Sequence, residues 1–296
     1  MKLLGFEIWH DCPNQCEFCA LGDLRKITTP QQKIQNINTL KSILKSIDIS
    51  KYDELSLVGG ELGYSIPQEV KDELLYLIGY IITEYIKENK LNKLYIMSSL
   101  MNGIGVIKDI IYKFKINNLL DKLSINTSYD TKWRFNSITK KIWEENINYI
   151  KEQGVSIHIE TILTGDLIDK FLSNDGELLK IINGYNVDFI RPVSSHDRKM
   201  TEMPKNFFPE RKKFFAFLMK LQQEYKDLFD KLLDMKMRAS TIYVLPYNGQ
   251  VIRDNEHNIE DINKELSPCG HSDVFKCYSD SDRCIICDID KFRNKL

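Results

Sequence analysis

The sequence predicts an α/β protein: a partial (β/α)6 barrel carrying a small C-terminal cysteine-rich metal-binding appendage. Two observations carry this expectation. Short apolar runs alternate with long amphipathic segments through the first two thirds of the chain. The seven cysteines fall in two tight groups, Cys12 to Cys19 and Cys269 to Cys287, with none between. Repeated strand–helix alternation implies parallel strands joined by crossover helices. The expected division is a barrel over 1–200, then a long helix, a β-hairpin and a cysteine-rich region over 201–296.

Leu3–Trp9 is a short apolar run and reads as the first strand. Gln31–Ile47 places Ile34, Ile37, Leu40, Ile43, Leu44 and Ile47 at helical spacing. Glu54–Val58 is the second strand. Pro67–Lys90 is a long amphipathic helix with Pro67 suited to its first turn. Leu94–Ser98 and Lys122–Thr127 are further strands, separated by a helix over Ile104–Lys115. Thr139–Gln153 is a helix closed by Gly154. Val155–Leu163, a helix over Leu167–Ile182, and Val187–Val193 complete the alternation. Phe207–Met235 reads as one long helix with a core-facing stripe from Phe214 to Leu232. Asn248-Gly249, between two strand-like runs, signals a hairpin, and Ile259–Leu266 a short helix.

The chain has 296 residues and a formal net charge of −1. That balance lacks the basic footprint of a nucleic-acid binder, so no nucleic-acid partner is expected. No apolar run reaches the ~18–20 residues needed to span a bilayer, so no membrane partner is expected. The opening MKLLGFEIWH has no small-residue cleavage site, which implies a cytoplasmic protein whose thiols stay reduced. An odd cysteine total in two groups fits a pair of metal sites better than a disulfide framework.

The first group is His10-Asp11-Cys12-Pro13-Asn14-Gln15-Cys16-Glu17-Phe18-Cys19. Three thiolates can hold three irons of a cubane cluster and leave the fourth iron open, whereas electron-transfer clusters use four cysteines. A zinc knuckle borrowing His10 as its fourth ligand is the competing reading. Cys12-x-x-x-Cys16-x-x-Cys19, with Phe18 before the last cysteine, resembles the signature of the radical S-adenosylmethionine (radical SAM) enzymes. The resemblance covers roughly residues 1–195. It implies a [4Fe–4S] cluster on Cys12, Cys16 and Cys19 whose open iron chelates S-adenosyl-L-methionine. It also implies an oxygen-sensitive oxidoreductase-type chemistry that begins with a 5′-deoxyadenosyl radical and hydrogen-atom abstraction. An electron donor such as flavodoxin or ferredoxin would be its partner.

Further positions follow from the same resemblance. The family's motif matching Val58-Gly59-Gly60-Glu61 binds the methionyl amino group, which implies cofactor contacts at Gly59, Gly60 and Glu61. A plain strand-ending turn would use the same glycines. Phe18 would lie near the adenine, although a shielding core role fits it equally. Met97 to Gly103 resembles the family's strand–Asn–Gly turn, with Leu100 and Met101 intervening. Ser124, Asn126 and Ser128 alternate and so share one strand face. In the family that face contacts the cofactor ribose and carboxylate; a polar network inside the barrel is the alternative.

On the next strand His158 and Glu160 are candidates for cofactor or substrate contact, or a buried pair of structural value. Arg191 could neutralise a carboxylate by a bidentate bond or pair with an acid structurally. His196 falls in a loop. Tyr129, Asp130, Arg134 and Phe135 form a polar–aromatic loop at the face that carries specificity in curled β/α sheets.

Cys269, Cys277, Cys284 and Cys287 form the second group, read as a second [4Fe–4S] cluster or a structural zinc, with His271 able to replace one ligand. A hairpin followed by clustered cysteines resembles the SPASM and twitch appendages of radical enzymes. All four cysteines follow the hairpin here, so a single-cluster twitch-like appendage is closer. If all seven cysteines bind metal, none remains to quench a substrate radical, though Tyr129 could, and an auxiliary cluster suits oxidative chemistry. No catalytic residue is assigned. A peptide substrate is expected, by association of such appendages with peptide modification. The alternatives are a nucleoside or other small metabolite, and a non-catalytic iron–sulfur or zinc binding module.

Overall fold

The computed structural model describes residues 2–14, 16, 19, 28–130, 134–192, 210–232, 241–245 and 250–254. Phe18, His196, His271, Cys269, Cys277, Cys284, Cys287, the hairpin turn and the expected helix at Ile259–Leu266 lie outside the described residues.

Six strands alternate with helices as expected: β1 (Leu3–Glu7), β2 (Glu54–Val58), β3 (Lys93–Met97), β4 (Leu123–Tyr129), β5 (Ser156–Leu163) and β6 (Phe189–Pro192). Between them run α1 (Pro30–Ser46), α2 (Gln68–Ile81), α3 (Ile104–Ile116), α4 (Ser137–Glu152), α5 (Gly165–Leu172) and α6 (Glu177–Tyr185). Then come α7 (Arg211–Glu224), α8 (Lys226–Leu232), β7 (Thr241–Val244) and β8 (Gln250–Asp254). The sheet order is β6-β5-β4-β3-β2-β1-β7-β8. Strands β1 to β6 pair in parallel, which makes the expected partial (β/α)6 barrel.

The hairpin, expected within the C-terminal region, pairs into this same sheet. β7 runs parallel to β1, with Leu4 opposite Thr241 and Glu7 opposite Val244. β8 then pairs antiparallel to β7. Phe6 and Tyr243 stack across the β1–β7 seam with ring centroids 5.2 Å apart.

Local signals explain some of the helix starts. Thr29 caps α1 in a capping box with Gln32, and Pro30 occupies the first turn. Asn136 does the same for α4 with Thr139. Two expected helices are broken. Leu167–Ile182 divides into α5 and α6 because Asn174 takes a left-handed φ of 63°. Phe207–Met235 divides at Tyr225, whose φ of −139° and ψ of 54° leave the helical region. The end of the Pro67–Lys90 segment is a π-helical turn over Ile82–Ile86.

One sheet face is apolar and packs under the helices. Leu4, Phe6, Leu55, Leu57, Leu94, Ile96, Leu123 and Ile125 join one core with Leu40, Leu74, Ile110, Trp143 and Ile168. Each such side chain, fully buried, contributes about 1.5–3 kcal/mol. The other face carries Glu54, Ser56, Tyr95, Ser124, Asn126, Ser128, His158 and Glu160, and is polar.

Candidate functional site

The cysteine loop leaves the C-terminal end of β1 and is tied down by named contacts. Asp11 is fully buried and pairs with Lys33 of α1 at 3.1 Å. Its Oδ1 also accepts from the Thr28 N–H at 2.8 Å. Asn36 Nδ2 donates to Ile8 O at 2.6 Å. Within the loop, the Cys19 N–H donates to Cys16 O at 3.0 Å, a tight turn between two of the three thiols. Cys12, Cys16 and Cys19 are all free of disulfides.

The Gly59-Gly60-Glu61 turn ends the neighbouring strand β2 and lies directly against this loop. The Gly60 N–H donates to Trp9 O at 2.8 Å and the Glu61 N–H to Asp11 O at 2.6 Å. Gly59 has a φ of 145°, and a Cβ there would sit 2.3 Å from Trp9 O. A Cβ on Gly60 would sit 2.1 Å from Asp11 O. Both glycines are therefore required by a backbone-to-backbone approach. The sequence suggests close approach to a ligand; the approach observed is to the residues that lead into the cysteines.

Glu61 does not face outward. Its carboxylate is fully buried; Ser98 Oγ donates to Oε1 at 2.7 Å, and the Ser99 N–H donates to Oε2 at 2.7 Å, with Ser99 Oγ also bonded there. Burial holds this carboxyl above its usual range, opposed by the serine donors. The Glu61 side chain thus joins the ends of β2 and β3, and what the turn offers a ligand is main chain. The Asn102-Gly103 turn after β3 packs alongside: Asn102 Nδ2 donates to Asn14 Oδ1 at 3.1 Å, and Gly103, at φ 71°, abuts Gly63.

Arg134 is the group that sequence reasoning left in a loop. Its Nε donates to Cys16 Sγ at 3.3 Å, and its Nη1 donates to Ser128 O and Oγ at 2.8 and 2.6 Å. Asp130 Oδ1 accepts from the Arg134 N–H at 3.1 Å. No sequence pattern marks this contact, because it joins residues 118 positions apart. Tyr129 and Phe135 turn the other way. Tyr129 packs against Phe135, Trp143 and Tyr185 on the helix-covered face, away from Ser124, Asn126 and Ser128.

The other expected residues divide. Ser124 is fully buried and its Oγ donates to Ser156 O at 3.4 Å, a polar network inside the barrel. Asn126 is buried with Oδ1 unpartnered. It stands in register between Met97, which is 37% exposed in mid-sheet, and His158, whose side chain is 28% exposed. His158 faces Asp188 at 3.7 Å rather than forming the anticipated pair with Glu160. Glu160 is buried opposite Ser128. Arg191 stands opposite Ile162 in the β5–β6 register.

Cys12, Cys16 and Cys19 are free thiols on one short loop, a donor set able to place one thiolate on each of three irons of a [4Fe–4S] cubane. No three His, Cys, Asp or Glu groups among the described residues converge on one ion position. His10, the zinc alternative's fourth ligand, has Nε2 engaged with Glu7 Oε2 at 3.0 Å. Burial pushes the Cys12 thiol up to about 11 and raises Cys16, the latter opposed by Arg134. Cluster binding would therefore expel protons as it organises the loop.

No family model matches the sequence, and no curated protein matches it. Solved structures do. The chain is similar to native anSMEcpe with bound AdoMet and Cp18Cys peptide, at 13% identity and a TM-score of 0.59, over 90% of this chain and 77% of that one. Native anSMEcpe with bound AdoMet gives 16% identity and a TM-score of 0.58, over 88% and 76%. Streptococcus suis SuiB bound to S-adenosylmethionine gives 14% and 0.50, over 92% of this chain and 64% of that one. The chain thus shares the fold of these AdoMet-bound structures, a parallel α/β sheet with crossover helices.

Proposed function

We propose that this chain is a radical SAM enzyme that takes a hydrogen atom from a peptide. The observation that carries the reading is the seating of the Gly59–Glu61 turn on the Trp9–Asp11 backbone. It joins a three-thiol loop and a main-chain cradle at one end of a polar sheet face. Bound at Cys12, Cys16 and Cys19, a [4Fe–4S] cluster with one open iron would supply one-electron cleavage of S-adenosyl-L-methionine and the hydrogen-atom abstraction that follows. The chain's own residues bind and orient. Gly59 and Gly60 let main chain approach closely. Asn126 and His158 line the face beneath, for cofactor or substrate.

A peptide substrate is supported by the peptide held in the anSMEcpe structure. A net charge of −1 offers little to a long polyanion. Cys269, Cys277, Cys284 and Cys287 are assigned a second [4Fe–4S] cluster or zinc, in a C-terminal region following a barrel over 1–200. A flavodoxin- or ferredoxin-class reductant would deliver the electron in the cytoplasm.

The test is anaerobic reconstitution with S-adenosyl-L-methionine and dithionite. Native protein is expected to release 5′-deoxyadenosine, and Cys16→Ala to lose both that product and the N-terminal cluster's iron. Native protein fully loaded with iron yet releasing no 5′-deoxyadenosine would sink the enzyme reading in favour of a binding module.

A further inference from the structure

Cys16 is the buried one of the three thiols, and its partner is a cationic side chain, whereas the Cys12 thiol meets the Asn14 main chain. Arg134 Nε donates to Cys16 Sγ at 3.3 Å. The guanidinium is held while it does so: Nη1 is bound by Ser128 O and Oγ at the end of β4, and the Arg134 main chain is bound by Asp130. The Arg134 side chain is 10% exposed and that of Asp130 2%, with Asp130 Oδ2 at 4.0 Å from Nε. Out of bulk water such charge-assisted bonds strengthen. Hydrogen bonds to ligand sulfurs are one of the levers that set iron–sulfur potentials, because they draw density from the thiolate and ease entry of an electron.

We propose that Arg134 is a positioning residue that raises the reduction potential of the Cys12–Cys16–Cys19 cluster through its N–H···S bond to Cys16, and that Asp130 opposes it. The proposal rests on the cluster reading above. One electron enters from the reductant and lowers the cluster's charge state by one; no bond breaks, and Arg134 keeps its proton. The fork geometry matters as well as the charge. Arg134 bridges Ser128 and Cys16 with two different nitrogens, which a lysine ammonium cannot reproduce.

The test is a redox titration of the reconstituted protein, followed by electron paramagnetic resonance without S-adenosyl-L-methionine. The relevant signal is identified by its loss in Cys16→Ala. Arg134→Gln is expected to move its midpoint to more negative potential. Arg134→Lys should restore part of the shift, and Asp130→Asn should move the midpoint the opposite way. Iron content and thermal midpoint, measured alongside, separate tuning from structural damage. Midpoints unmoved in variants that hold native iron overturn the proposal. Should the Arg134 variants fail to load iron, Asp130→Asn decides alone: an upward shift supports the proposal and an unmoved midpoint overturns it. A native protein with no Cys16-dependent signal overturns instead the cluster assignment itself.

Discussion

Strand β4 is buried along its whole length, yet its two faces are made of different chemistry. Leu123, Ile125, Thr127 and Tyr129 turn toward the helices, where Trp143 donates to Thr127 Oγ1 at 3.0 Å and packs on Tyr129. Ser124, Asn126 and Ser128 turn the other way, into a layer of hydroxyls, amides and charges. One face holds the fold together. The other is buried almost as well but contributes little, since a polar group out of water gains only what its partners return. Burial alone therefore does not distinguish the two faces; burial of polar groups, one of them with an unpartnered oxygen, does.

The largest expected effect sets the two faces against each other. Trp143→Ala removes a fully buried ring and should cost about 3–5 kcal/mol. Asn126→Ala removes an amide whose Oδ1 has no partner and should change stability by less than about 1 kcal/mol. Denaturant unfolding of both variants measures this, and equal losses would erase the contrast. Asn126→Ala should nonetheless lower turnover in the reconstituted enzyme.

Next comes the junction between the faces and the cysteine loop. Gly60→Ala puts a methyl 2.1 Å from Asp11 O, and main chain must move to admit it. A cost of about 1–3 kcal/mol is expected, with iron uptake at Cys12, Cys16 and Cys19 falling too. Unchanged stability and iron uptake would mean that the two loops are not seated on each other.

The smallest effect concerns pH. Burial raises the Glu54 carboxyl above its usual range, opposed by the Tyr95 hydroxyl, which donates to Oε1 at 3.1 Å, and by Lys93. The native state then holds its proton to higher pH than the unfolded chain does. This group's contribution is present at low pH and is lost as pH rises through the folded value. Glu54→Gln should flatten that decline in unfolding free energy as pH rises above the ordinary carboxylate range. An identical slope in both proteins would show that Glu54 does not titrate this way.

Legibility in the sequence follows the range of the interactions. Helices and strands rest on short periodicities, and Thr29–Gln32 and Asn136–Thr139 mark starts within four residues. The polar face of β4 was visible as alternation. The break between α5 and α6 was visible too, in Ser173-Asn174-Asp175-Gly176, a run of turn formers that the helical periodicity outweighed. The break at Tyr225 carries no such signal. Contacts that close across the sheet leave no local trace. Arg134 reaching Cys16, Glu61 turning to Ser98, and β7 choosing β1 as neighbour all depend on strand order, which periodicity does not encode.

That last pairing has a consequence for synthesis. Leu4 leaves the ribosome long before its partner Thr241. At about 5–20 residues per second, β1 waits on the order of ten to fifty seconds with one edge uncovered. The nascent strand that leads into Cys12 is thus open to solvent, to chaperones and to metal-delivery factors throughout that interval. Its edge is sealed only when β7 arrives.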